Sequence, residues 1–333
     1  MTEKKNKLPD VLAVEEMDAA SAKLVEEINA LLYASPLQEG DPMAQARKLA
    51  SEMFTVFAGP DYFKGVRTQD ITIPNSQRGI PARVYFHSEC QADASPLIVF
   101  FHGGGWALGG LNEYDVFLKS ISKQSGTNII SVDYRLAPEH PFPEGLEDAQ
   151  TALEYLSSHA ANFYGDPDRL AVMGDSAGGN LAAVLAQSPE NKDRIAAQFL
   201  LYPMLDVFKP HSAYPSRQTY GDGAHFLTRA AINKSVDDYT AGKLNLDNPR
   251  ISPLMATSLS DIPPTYIIVG NCDPLRDEAL AYATRLRQSG VDVCVECIPG
   301  AIHAFLSFGC MEDVQTYRTK LAQTIQRRLN VNN

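Results

Sequence analysis

A serine flanked by glycines, an aspartate in a turn after an apolar run and a histidine in a late loop are the groups this chain offers for nucleophilic catalysis. Ser176 is the centre of Gly174-Asp175-Ser176-Ala177-Gly178, between the apolar run Leu170–Met173 and a small, apolar stretch that includes Leu181, Ala182, Val184 and Leu185. The pattern predicts a buried strand, a tight turn and a helix. Glycine is needed on both sides of such a turn because a side chain there would run into neighbouring backbone. The serine oxygen is then left exposed, and the N–H of Ala177 falls at a helix N-terminus, where negative charge is favoured. Taken alone, the pattern equally fits a serine that only caps the helix.

A second constellation follows the continuous apolar run Pro96–Phe101, which predicts a strand buried on both faces. It is His102-Gly103-Gly104-Gly105-Trp106. Three glycines in succession let several N–H groups turn toward one point and form an anion cradle. A nucleotide phosphate loop is the rival, but the Gly-Lys-Ser/Thr ending is missing and the next lysine is Lys119. Beside a serine nucleophile the cradle reads as an oxyanion hole in which Gly103 and Gly104 act with Ala177. His102 then orients the loop, and Gly105, Trp106 and Asp175 are expected to touch the substrate.

Asp273 comes just past the predicted strand Pro264–Val269, where a carboxylate can be held rigidly and aimed at an imidazole. Asp277 lies at a helix start and reads as a cap. His303 sits in the loop after the predicted strand Val293–Ile298 and suits the base. His87, His140, His159, His211 and His225 fall in loops, helix ends or an insertion and read as ordinary polar residues.

The elements that must hold these groups follow from periodicity. The segments Asp70–Pro74 and Ala82–Phe86 predict an antiparallel pair; Asn128–Val132 and Gln198–Tyr202 predict further strands, alternating with helices near Asp115–Gln124, at Glu144–Ser158, Ala279–Gln288 and from Val314 to Leu329. Strands and helices in alternation predict an α/β fold with a mostly parallel sheet between helices. The proline-rich run Asp133–Pro143 must be an ordered loop, with Asp133, Arg135 and Glu139 bracing the glycine loop. Two helical segments between Val11 and Phe57 are broken near Ser35-Pro36. They either join a lid or cover a flank of the core. From Met204 to Met255 the alternation stops; this insertion, with Tyr214, Tyr220, Phe226 and Leu227, is expected to lie over the site as the rest of the lid and to shape an acyl pocket.

With 333 residues, 44% of them hydrophobic, the chain is long enough for one large domain and an accessory piece, here 58–203 with 256–333, and 1–57 with 204–255. A formal net charge of -11 argues against nucleic acid or an anionic membrane as partner. No apolar segment follows Lys4, Lys5 and Lys7, and no run approaches about 20 apolar residues, so a cytoplasmic location is expected. Five scattered cysteines fit a reducing compartment; Cys294 and Cys297 fall on a predicted strand, where residues three apart face opposite ways and cannot share a metal. Pairing of edge strands or helices into a homodimer stays open.

The motifs His102-Gly-Gly-Gly-Trp106, Asp133-Tyr-Arg-Leu-Ala-Pro-Glu139, Gly174-Asp-Ser-Ala-Gly-Gly179, Asp273-Pro-Leu-Arg-Asp-Glu278 and Gly300-x-x-His303-x-Phe305, in this order, resemble the hormone-sensitive lipase branch of the α/β-hydrolase esterases. The resemblance covers about Pro96 to Phe305. It implies an α/β-hydrolase fold with a helical cap, hydrolysis of short-chain acyl esters (acetyl to about hexanoyl), a triad of Ser176, Asp273 and His303, and no metal or organic cofactor. One departure is Ala304, where many relatives carry glycine. Amide or lactone hydrolysis uses the same groups, and a receptor-like member that binds without turnover is the alternative from another class; such receptors lack a triad member, and all three residues are present here.

Overall fold

The computed structural model describes residues 16–34, 40–75, 78–88, 94–242 and 245–329. The lysines at 4, 5 and 7, the break at Ser35-Pro36 and Cys90 lie outside the described residues.

Strands β1 (Arg67–Ile73), β2 (Ile80–Phe86), β3 (Ser95–Phe101), β4 (Asn128–Val132), β5 (Gly165–Asp175), β6 (Ala197–Leu201), β7 (Thr265–Gly270) and β8 (Val293–Ile298) form one sheet in the order β1-β2-β4-β3-β5-β6-β7-β8. Strand β2 runs against β1 and β4, and every pair from β4 to β8 is parallel. All seven residues of β3 are buried because both faces of the sheet are covered. Leu97, Val99 and Phe101 point into one layer, with helices α4 (Glu144–Ser158), α5 (Ala177–Gln187) and α8 (Arg276–Gln288). Ile98 and Phe100 point into the other, with α3 (Asp115–Ser125) and α9 (Val314–Arg328). That alternation follows from the two-residue side-chain period of a strand.

The predicted elements are present, with ends shifted by a few residues; β5 extends further, from Gly165, than Leu170–Met173 indicated. Before the sheet come α1 (Ala19–Ala34) and α2 (Pro42–Val56). Leu24, Val25 and Ile28 of α1 and Met53 of α2 are buried in the second layer, where each large apolar side chain contributes roughly 1.5–3 kcal/mol. The N–H of Asp18 donates to Gly300 O at 3.1 Å, tying the entry to α1 to the loop after β8.

The segment between β6 and β7 contains α6 (Pro215–Tyr220) and α7 (Arg229–Thr240) and no strand among its described residues. Helix α6 rests on α8: Ser216 N–H donates to Asp277 at 2.7 Å, Ser216 Oγ donates to Pro274 O at 2.8 Å, and buried Arg217 pairs with Glu278. Asp277 is therefore no cap. It lies inside the first turn of α8, and one carboxylate oxygen holds α6. Ring Phe308 is stacked on Phe54 of α2 at 5.5 Å and meets Phe226 of the insertion edge-on at 5.4 Å, so the N-terminal helices and the insertion converge there. Tyr214 and Tyr220 are both buried, Tyr214 bonded to Asp206 and Tyr220 packed under Arg276. Cys294 and Cys297 lie on β8, and Cys297 Sγ donates to Asn271 Oδ1 at 3.6 Å.

Candidate active site

Every candidate residue lies beyond the C-terminal end of a parallel strand, where loops meet around the helix N-termini. Ser176 follows β5 and opens α5 with φ 52° and ψ −116°, a sparsely populated conformation for a residue with a side chain. Backbone bonds impose it: Ser176 N–H donates to Leu201 O at 2.9 Å, and Ser176 O accepts from Met204 N–H at 3.0 Å. The flanking glycines leave no room for alternatives, since a Cβ on Gly174 would strike Gly178 O and one on Gly178 would strike Phe101 O. Helix α5 receives no side-chain cap from Ser176. The hydroxyl goes instead to His303 Nε2 at 2.9 Å.

The other ring nitrogen, His303 Nδ1, is 2.8 Å from Asp273 Oδ2. A carboxylate accepts only, so Nδ1 carries the proton and Nε2 keeps its lone pair for the serine. Asp273 is fully buried and its second oxygen accepts the Leu275 N–H at 2.8 Å. Aspartate and histidine meet because β7 and β8 are paired neighbours: Asn271 N–H donates to Ile298 O at 2.8 Å and Cys272 N–H to Ala301 O at 3.0 Å. Ser176 is 8% exposed and His303 4%, so the hydroxyl and imidazole are nearly free of bulk water.

The glycine loop sits on this arrangement. The N–H of Gly103 donates to Asp175 Oδ1 at 2.7 Å and lies 3.0 Å from the Tyr114 hydroxyl, which donates to Asp175 Oδ2 at 3.0 Å. The expectation that Gly103 offers its N–H to an anion therefore fails: that proton is already committed. By contrast the N–H groups of Gly104, Gly105 and Ala177 have no acceptor among the described residues. Gly104 and Gly105 have φ of 105° and 61°, which glycine alone adopts without strain.

Asp175 and Trp106, expected at the substrate, are placed otherwise. Asp175 is 2% exposed with both oxygens engaged by the loop. Burial pushes its carboxyl up to about 7, against the pull of Tyr114, Gly103 and His303. Trp106 is 1% exposed, and its indole lies flat on Tyr239 of α7 with ring centroids 4.2 Å apart, so it fastens the insertion to the glycine loop. A side chain at Gly105 would collide with Ser235 of the same helix.

The Asp133–Pro143 loop braces this assembly, and the Asp133 carboxylate interacts electrostatically with the buried imidazole of His102. Tyr134 OH donates to His102 O at 2.7 Å and its ring stacks on His102, whose own Nδ1 bonds Gly103 O at 2.8 Å. Arg135 is held by Asp148 and Glu144. Glu139 pairs with Arg47 of α2, which also donates to Ala107 O and Ala137 O. Among the described residues no group of three His, Cys, Asp or Glu side chains could hold a metal ion.

The profile of an alpha/beta hydrolase fold family matches residues 98–307, which includes the glycine loop, the serine turn, the aspartate and the histidine. The chain belongs to the α/β-hydrolase fold family. Among its relatives, this α/β hydrolase is 40% identical over 250 residues to the carboxylic ester hydrolase LipN of Mycobacterium tuberculosis, spanning 73% of this chain and 65% of that one. It is 33% identical to the ethyl acetate hydrolase of Pseudomonas putida, over 75% of this chain and 79% of the relative. A solved ester hydrolase from the metagenome of Lake Arreo superimposes with a TM-score of 0.87 at 29% identity, covering 95% of this chain and all of that one.

Sequence reasoning missed Tyr114 and Tyr202. Neither has a motif to mark it. Tyr114 precedes α3 and reaches the loop only through the fold, and Tyr202 follows β6 beside His303.

Proposed function

We propose that this carboxylic ester hydrolase is a serine esterase of short-chain acyl esters, with Ser176 as nucleophile, His303 as base, Asp273 as its orienting carboxylate and the N–H groups of Gly104, Gly105 and Ala177 as the oxyanion hole. The observation that carries the reading is the unbroken series Asp273 Oδ2, His303, Ser176 Oγ at 2.8 and 2.9 Å.

His303 Nε2 takes the serine proton as Oγ attacks the ester carbonyl, and Asp273 stabilises the imidazolium that results. The negative charge on the tetrahedral oxygen falls to the three unengaged N–H groups, each worth on the order of 3 kcal/mol. His303 then protonates the leaving alcohol. A water activated by the same nitrogen attacks the acyl-serine, releasing the acid and restoring Ser176.

The preference for acetyl to about hexanoyl chains is supported by the short acyl group named for the Pseudomonas putida relative. Residues 1–57 and 204–255 act as the cap, a reading supported by the meeting of Phe54 and Phe226 on Phe308 and by the stacking of Tyr239 on Trp106. A homodimer formed through the open edge of β8 belongs to the same proposal and is checked by light scattering. No described helix is long and apolar enough to cross a membrane.

The test is p-nitrophenyl butyrate hydrolysis by the wild type and by Ser176→Ala, followed by an acetyl-to-decanoyl series. Turnover is expected to vanish in the variant and to peak at or below hexanoyl. A folded Ser176→Ala protein that still hydrolyses the ester defeats the reading.

A further inference from the structure

The residue before the nucleophile carries a buried carboxylate for which the catalytic cycle above has no use. Asp175 ends β5, and its two oxygens each receive one donor: the Gly103 N–H and the Tyr114 hydroxyl. The same Tyr114 oxygen is 3.0 Å from Gly103 N, so one peptide N–H, one phenol and one carboxylate form a closed triangle. A Cβ on Gly103 would stand 2.6 Å from Asp175 Oδ2, which leaves no room for any other residue at that position.

We propose that Asp175 and Tyr114 are a positioning pair that sets the register of the glycine loop, and thereby the aim of the oxyanion donors, rather than a contact for substrate. This rests on the serine-esterase reading above. The carbonyls of Gly103 and Gly104 are held by His102 Nδ1 and by the N–H groups of Ala107 and Leu108, whereas the aim of the N–H groups depends on the peptide before them. Gly104 and Gly105 have backbone conformations that any rotation of the preceding peptide would change, and their N–H groups bond nothing among the described residues. The peptide joining His102 to Gly103 is gripped on both sides, by Tyr134 on the His102 carbonyl at 2.7 Å and by Asp175 on the Gly103 N–H. Loss of the second grip frees that peptide to rotate, and the donors that follow it rotate too.

A second consequence concerns pH. The titratable groups that face Asp175 are Tyr114 ahead of α3, Tyr134 after β4, Tyr202 after β6 and His303 after β8. Burial lifts the carboxyl to about 7 while the two hydrogen bonds and His303 resist it. A protonated carboxyl must donate from one oxygen, and its hydrogen-bond partners, the N–H groups of Gly103 and Asp175 and the Tyr114 hydroxyl, are all donors, so Tyr114, the one that can also accept, has to turn its own proton away. The grip therefore changes as the acid side of neutrality is crossed, in addition to the protonation of His303 itself.

Three variants test this: Asp175→Ala, which leaves no acceptor for the Gly103 N–H, Tyr114→Phe and the two combined, each checked for folding by circular dichroism. The readouts are kcat and KM for p-nitrophenyl butyrate from pH 5 to 9. Removing an oxyanion donor outright costs about 100- to 1,000-fold in kcat, so misaiming donors that remain present should cost less. The expected result is a fall in kcat of about tenfold or more for Asp175→Ala with KM changed less than about threefold, and a smaller fall for Tyr114→Phe. The double variant should be no slower than Asp175→Ala, since one triangle is being opened, and the acid limb of kcat should lose one ionisation. Unchanged kcat and pH profile, or a rise in KM alone, overturns the proposal. Should Asp175→Ala fail to fold, Tyr114→Phe decides on the same criteria, because its ring keeps its packing on Phe100 and Phe54. Failure of this inference is distinct from failure of the esterase reading, which turns on Ser176→Ala alone.

Discussion

The ring of Tyr202 stands edge-on to the imidazole of His303, with centroids 5.1 Å apart and planes at 65°. Tyr202 is held there by its N–H bond to Ile268 O at 2.7 Å and by a φ of 38°, so it forms a fixed wall beside that imidazole. An aromatic pair of this kind contributes about 0.5–1.5 kcal/mol, which corresponds to roughly a two- to tenfold change in rate. Tyr202→Phe, which keeps the ring, should leave kcat nearly unchanged, and Tyr202→Ala should lower it by up to about tenfold. Equal kcat for the two variants would show that the wall does not hold the imidazole.

Ser176 occupies φ 52° and ψ −116°, a conformation that costs a residue with a side chain about 1–3 kcal/mol. Ser176→Gly should therefore be catalytically dead and yet more stable than Ser176→Ala by about 1 kcal/mol, since glycine alone escapes the clash. Urea denaturation of the two variants measures the difference. A glycine variant less stable than the alanine variant would mean that the turn stores no strain.

Arg47 of α2 pulls the Glu139 carboxyl down to about 2. A carboxyl whose folded pKa lies below its unfolded value contributes stability that is present above the unfolded value, near 4.5, and is lost as pH falls from there toward 2. Glu139 is half exposed, so solvent screens the pair and its worth is under about 1 kcal/mol. Glu139→Gln should lower the melting temperature at pH 7 slightly, and the gap should shrink at pH 2.5, where most of the contribution has been lost. Scanning calorimetry at both values tests this, and a gap that stays constant between them excludes the ion pair as its source.

Ala304 follows His303 with φ 62° and ψ 14°, a left-handed conformation, and is buried. Left-handed backbone costs a residue with a Cβ about 1–2 kcal/mol, whereas glycine costs about 0.5–1 kcal/mol in lost freedom on folding. Ala304→Gly should therefore stabilise the protein by up to about 1 kcal/mol without loss of ester hydrolysis. A destabilised variant would show that the methyl group's packing outweighs the strain.

The amino-acid order alone determined the α/β alternation and the loops in which Ser176, Asp273 and His303 fall. Strands such as Pro96–Phe101 carry a continuous apolar signal, the glycines around Ser176 admit few backbone paths, and Asp273 and His303 each lie in the loop after a strand. Local patterns of this kind are written into neighbouring residues and need no partner to be legible. What Gly103, Asp175 and Trp106 do was decided only by the tertiary structure. Whether an N–H is free or taken depends on what lies across from it, and the groups that engage Gly103 come from the residue ahead of α3 and from the end of β5. Tyr114 and Tyr202 were invisible for the same reason: hydrogen bonds and ring contacts join residues 61 to 105 positions apart, and no local spacing records such a distance.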